Sequence, residues 1–299
     1  PKDQPFFFWL AAIDPHRGYN KNTIPDPHKP EDAVVPPYLP DIPDTREDLA
    51  MYYDEITRMD GFIGRVLAEL DEQGVADNTF VLFLSDNGRP FPRCKTTVYD
   101  SGVRTPFLVR WPGKVEAGSV NEQLVSSVDI APTILELAGV EPAPTFQGKS
   151  FAPLLNDPAT AIRGHVFAEH NWHDYRAHER AVRSKKYLYI RNAFPELPGT
   201  PPADAVRSPT YKAMQRLQAE GKLSPEELGC FVTPRAREQL YDCESDPYQL
   251  RSIVADPKYG KVLRELRGVL DKWIEETNDR VPENPTPDRF DRETGERLK

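Results

Sequence analysis

The chain has 299 residues, a formal net charge of −9 and a pI near 5.3. That length accommodates two domains and a sizeable core, and the negative balance argues against a general nucleic-acid binder or a protein that adheres to anionic membranes. Three cysteines are too few and too irregularly spaced for a disulfide framework, they suit no zinc pattern, and no apolar run approaches the length of a membrane span.

Residues 5–13, Pro-Phe-Phe-Phe-Trp-Leu-Ala-Ala-Ile, form an apolar block ending at Asp14-Pro-His-Arg-Gly18, which predicts a central strand closed by a turn. Residues 20–45, rich in Pro, Asp and Lys, predict an exposed loop. Over 46–73, Leu49, Tyr52, Ile56, Met59, Ile63, Val66 and Leu70 recur at helical spacing and predict one long amphipathic helix ending near Gly74. The continuous apolar run 80–84 then predicts a strand buried on both faces, so that helix and strand make the crossover of an α/β sheet. Residues 103–111 predict another strand, closed by Pro112-Gly113, and 127–139 predict a helix with Asp129 at its N-cap and Pro132 in its first turn. From about residue 160 the pattern shortens to strands at 166–169, 180–182, 187–191 and 239–242, a small antiparallel sheet. Residues 194–209 predict a proline-rich loop. A last helix is expected over 259–277, with Val262, Leu266, Val269, Leu270 and Trp273 on one face, followed by a mobile charged tail.

Ser85-Asp86-Asn87-Gly88 follows a buried strand, and ligands of parallel sheets bind beyond the carboxyl ends of the strands. The Asp86 carboxylate and Asn87 amide supply the oxygen ligands that a hard divalent cation takes. Read alone, the tetrapeptide is more often an Asx-turn in which those side chains cap the chain before Gly88. Lys95 offers a point charge with three donors that can follow charge on an anion; the plain alternative is a solvated lysine. Arg17, Arg89 and Arg93 add cations around the same segments. His16, at the end of the first apolar block, is able to donate to an anion or protonate a leaving group, or else is a turn histidine with local bonds. His165, His170, His173 and His178 suggest a metal cluster, but no helix or hairpin spacing fixes one. The run His170-Asn-Trp-His173-Asp174 mixes imidazoles, an indole and a carboxylate in a way suited to gripping a sugar ring; a polar loop with scattered histidines is the alternative.

Ser85-Asp-Asn-Gly88 followed by Lys95-x-Thr-x-Tyr-Asp-x-Gly-x-Arg-x-Pro106 resembles the sulfatases of the alkaline-phosphatase superfamily. Asp14-Pro-His-Arg17, Arg207-Ser-Pro-Thr210, Gln239-Leu-Tyr-Asp242 with Asp246-Pro247, and Trp273-x-x-Glu-Thr-x-Asp279 extend the resemblance over nearly the whole chain, toward the heparan N-sulfatase branch. Lys95 stands where that branch has Arg, which leaves N-sulfate versus O-sulfate specificity open.

The resemblance implies an α/β fold with a central, mostly parallel sheet flanked by helices, plus a small antiparallel-sheet α+β subdomain. On that reading, 1–155 is the C-terminal part of the catalytic domain, 156–280 the subdomain and 281–299 the tail. It implies a hydrolase that removes sulfate from a sulfated, glycosaminoglycan-type sugar. Asp86 and Asn87 would be two of four protein ligands to calcium, and Lys95 and His16 catalytic residues. Arg17, His170 and His173 would contact substrate, and Arg104 would pin the turn. The family nucleophile is a formylglycine made within a Cys-or-Ser-x-Pro-x-Arg motif, which none of Cys94, Cys230 and Cys243 fits, and the N-terminal Asp-Asp metal pair is absent. The expectation is therefore that Pro1 is internal to a longer polypeptide whose preceding segment supplies both. Two other readings stay open: a two-zinc phosphatase or phosphodiesterase of the same superfamily, and a non-catalytic carbohydrate-binding fragment. No Asn-x-Ser/Thr acceptor with a permitted middle residue occurs, which tilts the expected setting to a bacterial periplasm or the medium, with a lysosome as the alternative.

Overall fold

The structure is a computed structural model that describes residues 4–157 and 159–299. Helix α1 (Pro43–Glu72) opens on a proline, whose missing N–H is no loss in a first turn. All its buried residues, from Thr45 to Glu55, lie in its first half. Along the second half Phe62 and Val66 stay 52 % and 41 % exposed, so the apolar stripe runs on without a partner among the described residues. Strand β1 (Val81–Leu84) is separated by a short helix α2 (Asp100–Val103) from β2 (Phe107–Arg110), and the strand expected over 103–111 is cut to four residues by that helical turn.

Strands β1 and β2 pair antiparallel, Val81 opposite Arg110 and Leu84 opposite Phe107. Every strand pairing among the described residues is antiparallel, so the parallel sheet is not assembled by them. The block 5–13 is likewise no strand here, with Phe8, Trp9 and Ile13 exposed by 73 %, 82 % and 84 %. Its composition suits a buried strand, but a strand exists only through a neighbouring ladder, and no described segment lies alongside.

Helix α3 (Ile130–Leu137) enters from a 3-10 turn. Asp129 stands at its N-cap position as expected, but its fully buried side chain bonds other partners and not the first turn of α3. One carboxylate oxygen accepts Ser126 N–H at 2.8 Å, and the other accepts Lys149 N–H at 2.7 Å and the Arg163 guanidinium. Helix α4 (Ala152–Asn156) follows.

The second half is built on a four-stranded antiparallel sheet in chain order: β3 (Val166–Trp172), β4 (Arg176–Arg183), β5 (Tyr187–Asn192) and β6 (Glu238–Asp242). Period-two alternation sends Val182, Tyr189 and Leu240 to one face, where Leu263, Leu266 and Leu270 of helix α7 (Gly260–Glu276) cover them. Ala181, Leu188, Ile190 and Tyr241 go to the other face, where they bury Val98 and Tyr99 from the chain just ahead of α2. The sheet is thus clamped between a helix and the loop that carries the conspicuous motifs.

Residues 194–209, expected as loop throughout, contain helix α5 (Ala203–Val206), and α6 (Pro209–Ala219) follows at once. Ser208 caps α6 by accepting Tyr211 N–H at 3.1 Å, with proline at the first position, a start signal hidden by the surrounding prolines. Helix α6 packs on α1 around a core of Leu49, Phe91, Cys94, Tyr175, Tyr211 and Met214. The tail expected to be mobile is laid against the same core through Phe290. Trp172 Nε1 donates to Pro287 O at 2.9 Å, Arg289 N to Asp174 O at 2.9 Å, and Arg292 to Arg176 O at 2.9 Å. Its charged composition reads as solvated, but Pro287 and Arg289 are tied through their backbone groups to Trp172 and to Asp174 in the β3–β4 turn. No described helix is long and apolar enough to cross a membrane.

Candidate active site

Leaving β1, the chain turns at Ser85-Asp86-Asn87-Gly88. Ser85 Oγ donates to Asn87 O at 2.9 Å and Asn87 Nδ2 to Gly88 O at 2.8 Å. Neither is the bond of an Asx-turn, in which a side-chain oxygen accepts a backbone N–H two residues on; of Asn87 only the amide nitrogen is used. Its Oδ1 accepts no described bond, and Asp86 is exposed and outside every described ion pair. Gly88 N–H donates to Gly102 O at 2.8 Å, joining the two motifs backbone to backbone. A Cβ at Gly88 would lie 1.9 Å from Ser101 O, and one at Gly102 2.4 Å from Thr97 O, so both glycines are demanded by close approach.

Between them the loop folds onto itself. Lys95 N donates to Arg89 O at 3.1 Å, Thr97 Oγ1 to Cys94 O at 2.8 Å, and Ser101 Oγ to Arg93 O at 2.5 Å. Arg93 and Thr96 sit at φ 64° and 65°, a left-handed backbone that a β-branched threonine adopts only under constraint from its surroundings. Lys95, next to that strain, is 9 % exposed and its ammonium takes part in no ion pair or hydrogen bond among the described residues. Its stem is packed while the ammonium itself reaches solvent, where an anion can meet it. Cys94, also fully buried, is pushed well above the usual thiol range by burial, which makes it a packing residue and not a nucleophile.

The turn 14–18 is brought to this loop by Arg17. Its guanidinium bonds both oxygens of fully buried Asp48 at 2.8 Å, its Nε donates to Pro90 O at 2.7 Å, and the rings of Tyr19 and Phe91 flank it. Thr210 Oγ1 adds a bond to Asp48 at 2.6 Å. Arg17, expected to touch substrate, is committed to the scaffold: a bidentate match to a buried carboxylate leaves it no free face. Asp14 is clamped in the same way by Arg58 at 2.7 Å on both oxygens, and that bond holds its carboxyl below the usual range. Between these clamps His16 stays half exposed, with Nδ1 2.5 Å from Arg17 O and Nε2 3.8 Å from Asp204 Oδ2.

Asp204 went unnoticed in the sequence because it lies in the stretch read as loop. Its Oδ2 is buried without a hydrogen-bond partner, and α5 carries it beside His16. The neighbouring Ala203 N–H donates to Asp174 Oδ2 at 2.8 Å, and that same oxygen lies 3.2 Å from His173 Nδ1. Helix α5 thus links His16 to the 45 % exposed side chain of His173. His170 belongs to another network, 3.5 Å from Glu179, which is bonded in turn by Arg235. Although burial opposes its ionisation, these two partners keep Glu179 below the usual carboxylate range. His178 points to the opposite face of β4, against Arg180, and burial lowers its affinity for a proton. The four histidines form no cluster, and among the described residues no three His, Cys, Asp or Glu side chains converge as a metal site.

The family profile described as Sulfatase matches residues 1–140, and one described as N-sulphoglucosamine sulphohydrolase, C-terminal, matches residues 93–194. The chain is 39 % identical over 242 residues to an ulvan-active sulfatase of Formosa agariphila, covering 80 % of this chain and 40 % of that protein. It is 31 % identical over 314 residues to the N-sulphoglucosamine sulphohydrolase of Homo sapiens, covering 93 % and 62 %. The chain belongs to the sulfatase family. This sulfatase chain shares its fold with BT4656, solved in complex with its substrate D-glucosamine-2-N,6-O-disulfate, at a TM-score of 0.60 and 21 % identity over 79 % of this chain and 42 % of that one. It spans less than two thirds of the length of these relatives.

Within the sulfatase chain, Asp86 and Asn87 fit a hard cation: two oxygen donors on one constrained turn, with Asp86 and the Asn87 Oδ1 unengaged. Two donors are a fraction of the six to eight that calcium takes.

Proposed function

We propose that the protein removes sulfate from a sulfated sugar of glycosaminoglycan type. The observation that carries this is Lys95, a packed lysine whose ammonium reaches solvent without a counter-ion among the described residues, held by a strained loop whose glycines lock it to Asp86 and Asn87. Calcium and a formylglycine, when present, would supply charge neutralisation and the nucleophile. Asp86 and Asn87 would hold the cation. Lys95 would hold its charge in advance at the sulfate oxygens, where preorganised charge raises the rate. His16 is poised to give a proton to the departing nitrogen or oxygen, with Asp204 Oδ2 3.8 Å from its Nε2. His173, half exposed on the far side of α5, is placed to meet the sugar. The names of relatives support this reading: sulfatases of ulvan, of glucosamine N-sulfate and, in Bacteroides thetaiotaomicron, an N-acetylglucosamine-6-O-sulfatase.

The test is sulfate release from glucosamine N-sulfate and glucosamine 6-sulfate, followed by ion chromatography. Lys95→Ala should lower kcat/KM by roughly 100- to 1000-fold with the melting temperature kept, the scale of removing one preorganised charge. Undiminished turnover by Lys95→Ala would remove Lys95 from the chemistry.

A further inference from the structure

Across the sheet from the motif loop, where α7 ends against β4 and β5, the fold encloses a cleft of about 610 Å³. Four arginines line it, Arg180, Arg191, Arg237 and Arg280, against two carboxylates, Asp279 and Glu238. Both carboxylates are already engaged: Arg180 bonds Asp279 at 2.6 and 2.7 Å, and Arg267 and Tyr189 hold Glu238. Arg191 is paired with Asp271. Arg237 and Arg280 enter no ion pair among the described residues, so the cleft keeps an excess of positive charge in a chain of net charge −9.

Arg280 is not needed as a cap for α7. The last carbonyls are met from within, Thr277 N–H on Trp273 O at 3.0 Å, Asn278 on Glu275 O at 3.1 Å and Asp279 on Ile274 O at 2.9 Å. Two guanidinium groups without an ion-pair partner among the described residues are donors only, which matches the oxygens of a sulfate or carboxylate and nothing cationic. We infer that this cleft is a second anion subsite that takes the sulfate or carboxylate of an acidic saccharide, away from the loop of Lys95. The volume suits one or two sugar units. Such a site would hold a polyanionic chain to the enzyme without taking part in sulfate cleavage; this role rests on the function proposed above.

The experiment is calorimetric titration of the full-length protein with a heparin-derived tetrasaccharide and, separately, with inorganic sulfate, at low and moderate salt. Arg237→Glu with Arg280→Glu should weaken the tetrasaccharide roughly tenfold or more and flatten the salt dependence, while turnover of a glucosamine sulfate monosaccharide stays unchanged. Arg237→Gln with Arg280→Gln, which keeps the polar surface, should lose most of the same affinity and guards against misfolding in the reversal variant. Unchanged tetrasaccharide affinity in both pairs overturns the subsite. Equal loss for inorganic sulfate alone, with no stronger binding of the tetrasaccharide, overturns the saccharide assignment in favour of a free-anion site. Absence of sulfate release by the unaltered protein, with the affinity loss intact, refutes the enzymatic reading and leaves the cleft standing.

Discussion

Gly88→Ala tests whether the two motifs form one unit. The added Cβ would lie 1.9 Å from Ser101 O and 2.9 Å from Ser101 C, both backbone atoms, so no side chain can swing away. Restoring ordinary contact requires the loop to separate by more than 1 Å, roughly the gap to the usual contact distance near 3.5 Å. That movement breaks the 2.8 Å bond from Gly88 N–H to Gly102 O, worth about 1 kcal/mol, and overpacking adds roughly 1–3 kcal/mol. The expected loss is about 2–4 kcal/mol of stability, together with a fall in sulfate release as Asp86 and Asn87 leave their positions. Urea denaturation and sulfate assay measure the two effects. Gly64→Ala is the matched control: nothing lies within 4 Å of its Cβ on exposed α1, and it should stabilise by about 0.5–1 kcal/mol. If Gly88→Ala unfolds within 0.5 kcal/mol of the parent and keeps full activity, the coupling between the motifs is wrong.

Arg17→Ala should cost about 3–5 kcal/mol because Asp48 is left buried and unpaired, and a KM change with stability intact would return Arg17 to the substrate. Leu270→Ala, at a fully buried position of α7, should lower stability by about 2–5 kcal/mol in thermal unfolding; a loss under 1 kcal/mol would mean that the helix is not docked as described. Asp279 is held below its ordinary value of 3.8 by the bond from Arg180. Its contribution is therefore complete above that value and disappears as pH falls through the lower folded value. Acid titration should release the end of α7 in that range, seen in the fluorescence of Trp273, which stacks on Phe167 at 5.1 Å; Asp279→Asn should remove the acid step, and an unchanged titration in that variant would assign it to another group.

Local periodicity was enough to read α1, α7 and the antiparallel sheet, because a 3.6-residue or two-residue repeat is written in each segment, even where, as along the second half of α1, no described residue covers it. The same reading failed at residues 5–13, whose apolar run specifies what a neighbour would bury but cannot supply the neighbour. Asp86, Asn87 and Lys95 were legible as a set since one contiguous loop carries them, and the glycines that lock it were already part of the motif. Arg17 was misjudged because a charge beside a motif looks the same whether it awaits a ligand or bonds Asp48 from a helix 31 residues on. Asp204, the pairing of His170 with Glu179, and the arginine cleft depend on side chains distant in sequence that only packing brings together. The chain by itself thus determined its family chemistry and its elements, through short-range spacing; which charges are free to meet a substrate was decided by tertiary contacts, since a charge is available only when no buried partner has claimed it.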